Sequence, residues 1–174
     1  MLRTHQLVQR VVITVILLAA CGGDGGSNGT GPGGSQTGTF QVTVTGGVSA
    51  SFTGSAVFSS QPAFQLILSD LRGSHVAVLR TTSGRPAAGT HPLGDDPQAY
   101  LAGTIYAGTV QIPGATPFAS PLAPGTLTLT SSSPERMQGT IQLNAKDEPS
   151  DRTATVIATF TAVCSTASGG PPCT

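Results

Sequence analysis

The chain has 174 residues, enough for one domain with a tail, and no net formal charge; only 9% of its residues are charged, against roughly 25% in an average soluble protein. Its 23 Gly and 13 Pro sit among abundant Ser, Thr and Val, a balance that suits short strands with tight corners and works against long helices. The charges are scattered and form no basic face for a phosphate backbone, which argues against nucleic acid as a partner.

Residues 1–10 (MLRTHQLVQR) carry Arg3 and Arg10 and no acid, and Val11 to Ala20 follow as a ten-residue run that is apolar but for Thr14. A bilayer span needs about 20 residues, so this layout, basic and then briefly apolar, reads as a secretory signal rather than a membrane helix. The run ends in Leu18-Ala19-Ala20-Cys21. This stretch resembles the lipobox of bacterial lipoproteins: an aliphatic residue, two small residues and a cysteine at the cleavage point. The resemblance implies that residues 1–20 are a signal peptide cut before Cys21, and that the Cys21 thiol carries a diacylglyceryl group. It also implies export to the cell envelope, with the membrane as partner through the lipid. Several acyl chains anchor where one is marginal, each buried methylene adding roughly 0.8 kcal/mol. Gly22, not Asp, follows the cysteine. In Gram-negative lipoproteins an Asp there favours retention at the inner membrane, so the resemblance points to the outer membrane. Without residues 1–20 the chain keeps six basic and eight acidic side chains, a net of −2.

Residues 21–38 pair this cysteine with a linker. Nine of the seventeen residues from Gly22 to Gly38 are Gly, so the segment cannot bury enough surface to offset its chain entropy and is expected to be a disordered tether. As a flexible coil it reaches about 23 Å.

From residue 39 to residue 174 the sequence reads as a single all-β domain. In TFQVTVT, Phe40, Val42 and Val44 share one face and Gln41, Thr43 and Thr45 the other, the period of a strand buried on one side. The same alternation carries Phe52, Ala56 and Phe58, then Phe64, Leu66 and Leu68, then Val76 and Val78. Tyr100, Leu101, Ile105 and Tyr106 split between parities, so Gln98 to Ile112 is expected to hold one or two strands of unclear face. Pro113 to Pro124 contains four prolines and reads as a long loop or edge. Alternation returns with Leu127 and Leu129, with Met137, Ile141 and Leu143, and with Ala154, Val156, Ala158, Phe160 and Ala162. About seven to nine strands separated by turn clusters predict an antiparallel β-sandwich or small barrel.

Four pieces of the later part, Gly89-Thr90-His91-Pro92-Leu93, Gly125-Thr126-Leu127-Thr128-Leu129, Arg136-Met137-Gln138-Gly139-Thr140-Ile141 and Ala158-Thr159-Phe160, resemble a recurrent type of all-β domain in bacterial lipoproteins. That resemblance implies the fold and brings no activity with it.

Cys164 and Cys173 close a ten-residue stretch containing Gly169, Gly170, Pro171 and Pro172, and export to an oxidising compartment favours a disulfide between them. The spacing is not Cys-x-x-Cys, so a staple is expected rather than redox chemistry. His91, Asp95 and Asp96, with His75 elsewhere, are the candidate metal ligands. Carboxylates in a Gly-Asp-Asp-Pro turn have a plainer use in bonding nearby backbone N–H groups. Asp147, Glu148 and Asp151 resemble a solvated hairpin tip. No Gly-x-Ser-x-Gly elbow is present in residues 39–174, the one such spacing lying in the Gly-rich tether at Gly25 to Gly29, and Glu135 and Glu148 each sit beside a proline. The expectation is a protein without catalysis or cofactor: an envelope lipoprotein acting as a structural or protein-interaction module. The alternative is a ligand-binding module for sugar, lipid or metal, using the Gly84–Pro97 and Pro113–Pro124 segments at one end of the domain.

Overall fold

A computed structural model describes residues 37–114, 117–165 and 173; the signal segment, Cys21 and nearly all of the tether lie outside the described residues. Ten strands follow in chain order: β1 (Thr39–Gly46), β2 (Ala50–Ser59), β3 (Phe64–Ser69), β4 (His75–Arg80), β5 (Gly89–Leu93), β6 (Ala107–Ile112), β7 (Phe118–Ala123), β8 (Gly125–Ser132), β9 (Arg136–Asp147) and β10 (Arg152–Cys164). They form one sheet in the order β5-β8-β9-β10-β1-β2-β3-β4-β6-β7, antiparallel except for a two-residue parallel contact between the ends of β10 and β2.

The sheet rolls into a nearly closed barrel. Its two flanks meet at a bridge between Leu93 and Tyr106, where the Gly94 amide also donates to the Tyr106 carbonyl at 3.0 Å. Side chains also pack across this closure: a Cβ added at Gly108 on β6 would stand 2.4 Å from a Leu143 methyl on β9, and the Asn144 amide donates to the Pro124 carbonyl at 2.9 Å. The interior is therefore filled by side chains. Phe58, Phe64, Phe118, Leu66, Leu68, Leu127, Met137, Ile141 and Leu143 are all fully buried, and they come from the inward parity of β2, β3, β7, β8 and β9. Between them, Thr, Ser, Gln and Asn predominate. This is the inverse of a barrel that faces lipid, which is apolar outside and polar within. No helix among the described residues is long and apolar enough to cross a membrane.

The all-β reading and the inward residues hold; the strand count is ten, because two short strands lie inside stretches rich in turn residues. β5 has five residues including Pro92, and β7 carries Pro121. Both are outermost strands of the sheet, where a missing N–H costs no ladder bond. The expectation of strand from Gln98 onward is corrected at its start. Pro97–Leu101 is a short helix, α1, and β6 begins only at Ala107. Asp96 caps the helix by accepting from the Gln98 and Ala99 amides at 2.9 and 3.3 Å, and Pro97 stands in the first turn, where its absent donor is not needed. A helical turn places side chains at period 3.6, which is why Tyr100 and Leu101 matched neither strand parity.

The β9–β10 hairpin tip is also less solvated than its composition suggests. Asp147 is only 5% exposed. Its carboxylate accepts from the Ser150 hydroxyl at 2.6 Å and from the Arg152 guanidinium at 2.7 Å. Arg152 also donates to the Pro117 carbonyl at 2.9 Å and lies over the Phe118 ring, so it ties this tip to the start of β7. The Ser150 bond and then Arg152 hold the Asp147 carboxyl below its ordinary range. A carboxyl lowered by folding stabilises above its unfolded pKa, and that contribution is lost as pH falls through the folded value. Thermal unfolding of wild type and Asp147→Asn should differ most at neutral pH, and the gap should close as pH drops below 3.8. A gap of constant size down to strongly acidic pH would refute the pairing.

Candidate functional site

The strand register builds one long surface feature. Thr90 on β5 pairs with Thr128 on β8, Thr128 with Thr140 on β9, Thr140 with Thr159 on β10, Thr159 with Gln41 on β1, and Gln41 with Thr53 on β2. This row crosses six strands at the usual spacing of about 4.8 Å. Its side chains face outward because the residues on either side of each, such as Phe40, Val42, Leu127, Leu129, Ala158 and Phe160, fill the core. Cross-strand Thr pairs of this kind add roughly 0.2–1 kcal/mol each to the sheet; the Thr90 and Thr128 hydroxyls lie 3.4 Å apart. A parallel row runs through Thr126, Gln142, Ile157, Thr43 and Ser51, with Ile157 51% exposed near its middle.

No Asp, Glu, Lys or Arg stands in the body of this wall; Asp95 and Asp96 lie in the connection between β5 and α1, and the other described charges gather at the two ends of the barrel. Asp70, Arg72, Lys146, Asp147, Glu148, Asp151 and Arg152 lie at the end that holds the β3–β4 and β9–β10 turns. Arg80, Arg85, Glu135 and Arg136 lie at the other, beside the ends of β4 and β10 and the β8–β9 turn. The wall thus offers hydroxyl and amide groups, able both to donate and to accept, without a field that would draw a charged ligand.

The end nearer Arg80 carries the densest polar cluster. The Arg80 guanidinium donates from Nη1 to the Tyr106 hydroxyl at 2.8 Å and from Nη2 to the Ser83 and Gly84 carbonyls at 2.9 Å each, while its central carbon lies 4.8 Å from the Tyr106 ring centre. Tyr106 in turn packs edge-on against Phe64 and beside the His91 ring. Burial pushes its phenol up, against the pull of Arg80. Arg85 donates to the Ser132 hydroxyl at 2.6 Å, and Ser132 donates to the Pro86 carbonyl at 2.6 Å. Arg80 Nη2 and Ser132 thus brace the β4–β5 loop, while the buried Arg80 Nε has no partner among the described residues.

The candidate metal ligands are not brought together. His91 bonds the Ala87 carbonyl at 2.8 Å through Nε2, Asp96 caps α1, and His75 stands at the opposite end of β4, bonded to the backbone of Gly73. Burial lowers the pKa of His75. Among the described residues no group of three or more His, Cys, Asp or Glu side chains is placed to hold a metal ion. Cys21 lies outside the described residues. Cys164 and Cys173 are joined by a disulfide.

The two segments considered as ligand loops are in part strand, and they meet only where Leu93 pairs with Gly125, next to Pro124. Phe118–Ala123 within the second is strand β7, and its true turn, near Pro113, sits beside Gly73. The Gly84–Pro97 segment begins at the Arg80 end. Antiparallel pairing of β4 with β6 puts the β4–β5 connection and the β6–β7 turn at opposite ends. Sequence reasoning missed the Arg80–Tyr106 and Arg152–Asp147 braces, because isolated arginines carry no spacing signal.

Fold and surface together define a water-facing, filled β-barrel with an uncharged hydroxyl-rich wall. Comparison with family models, curated proteins and solved structures finds no match to this chain.

Proposed function

We propose that this chain is a non-enzymatic lipoprotein of the bacterial envelope, anchored through Cys21, whose barrel serves as a structural or protein-interaction module. The observation that carries the reading is the six-strand wall whose strands present no charged side chain in its body. Such a wall suits contact with another neutral polar surface and gives no purchase to nucleic acid. Its polar residues are single outward hydroxyls and amides, whereas a catalytic site needs a nucleophile set against a base. The lipobox-like Leu18-Ala19-Ala20-Cys21 supplies the anchor, the Gly-rich tether the reach, and Gly22 the preference for the outer membrane in a Gram-negative cell. The ligand-binding alternative has less support, because most donors of the Arg80 cluster are taken up by the protein itself and the β4–β5 connection and the β6–β7 turn lie at opposite ends.

The test has two parts. Cells fed an alkyne fatty acid should label the wild-type chain and leave Cys21→Ser unlabelled, with the variant moving out of the membrane fraction. Equal labelling of both would remove the anchor. Cross-linking of the labelled protein in intact cells should then recover a reproducible envelope partner. A lipidated, folded chain with no partner above background would sink the interaction reading in favour of a ligand module.

A further inference from the structure

Strand β2 is longer than the neighbour that should cover it. Ser55 to Ser59 pair with β3, whereas Ala50 to Gly54 pair with β1 alone. The side of β2 that faces away from β1 is therefore without a ladder partner over residues 50–54. The Ala56 amide donates to the Gly38 carbonyl on the β1 side at 3.1 Å. Antiparallel bonding alternates along a strand, so residues 50, 52 and 54 bond toward β1, while Ser51 and Thr53 turn their N–H and C=O groups outward. A groove of about 930 Å³ runs along this edge, between β2, the β3–β4 turn and the end of β6. Phe52 and Ile112, 8% and 7% exposed, form its floor.

The other edges of the sheet are guarded. β5 carries Pro92 and β7 carries Pro121, the usual device against strand addition. Residues 50–54 (ASFTG) carry neither proline nor charge. At the rim, Leu71 is fully exposed and Arg72 stands beside it. The Asp70 carboxylate accepts the Arg72 and Ser74 amides at 2.8 Å each through Oδ1, and Arg72 is the cation of the groove's lining.

We propose that the open half of β2, residues 50–54, is a strand-addition site for an extended protein segment that sets an acidic side chain against Arg72 and an aliphatic one against Leu71 and Phe52. Backbone bonds to Ser51 and Thr53 give the affinity and the rim gives the selectivity. This rests on the protein-interaction reading and names its surface.

The test uses the lipidated full chain in detergent and three short synthetic peptides of alternating Val and Thr: one with a Glu, one with Lys in its place, and one with a central Pro. Amide exchange at Ser51 and Thr53 should slow with the Glu peptide, which should bind at least about tenfold more tightly than the Lys peptide, while the Pro peptide should not bind. Arg72→Glu, in an exposed turn, should reverse the Glu and Lys order. Ser51→Pro, checked for folding by its thermal transition, should abolish protection of the Thr53 amide. Unchanged exchange at these two amides, or equal binding of all three peptides, would overturn the proposal. If cells nevertheless yield an envelope partner cross-linked to other faces, the interaction reading survives and the strand-addition site alone falls; if they yield none, both fall.

Discussion

Phe58→Ala should destabilise the barrel by about 3–5 kcal/mol, the usual cost of emptying a buried aromatic site, and lower Tm by roughly 10–20 °C. Phe58 is 1% exposed on β2, opposite Leu66 on β3, and belongs to the single core that runs through the barrel. Its backbone is held as firmly as its ring, since the Phe58 carbonyl accepts the Ser165 amide at 2.7 Å and lies 3.5 Å from the Cys173 sulfur. The strands around it are held by ladders on both sides, so the walls cannot collapse fully into the space. Calorimetric or denaturant unfolding measures the loss directly. A change below about 1 kcal/mol would mean that the ring is not in the core as described.

Removing the Cys164–Cys173 bridge should have the next largest effect. A sequence separation of nine closes a loop for which chain entropy gives about 2–3 kcal/mol. Cys173 is 4% exposed within the core cluster, and its carbonyl accepts from Arg85 at 3.3 Å. At the other side of the bridge, the Cys164 amide donates to the Glu135 carbonyl at 2.9 Å. The bridge thus pins Cys173 against the end of the barrel where β10 meets β2. The double variant Cys164→Ala with Cys173→Ala should melt below wild type in oxidising buffer, and reductant should bring wild type down toward it. Thiol labelling of the denatured, unreduced wild type should find neither of these two cysteines free. Because Phe58 and Cys173 are neighbours, the bridge and ring losses should not add; simple additivity would separate the two sites.

Both effects concern the end of the barrel away from the β3–β4 turn, whereas the open edge of β2 lies at the turn end. A protein that must present an edge for pairing gains from having its core and cross-link elsewhere, since the edge then stays accessible without loosening the fold. Ser51→Pro and Arg72→Glu should accordingly leave stability far closer to wild type than Phe58→Ala does.

What the residues determined unaided is the local part of the structure. Side chains alternate across a strand with a period of two, so Phe40, Val42 and Val44, or Ala154 through Ala162, declare their inward face without reference to any partner. The pair Cys164 and Cys173, joined in the structure, is likewise legible from the sequence. Tertiary structure decided the rest. Alternation says which way a strand faces and nothing about its neighbour, so the excursion of the chain from β4 out to β5 beside β8, and back through α1 to β6 beside β4, had no signature in spacing. The same holds for the row from Thr90 to Thr53, which joins six strands separated in sequence, and for the open side of Ala50 to Gly54, which exists because β3 stops at Ser69. A strand edge is free or covered according to where another strand ends, and pairing across long loops is set by the whole core closing at once.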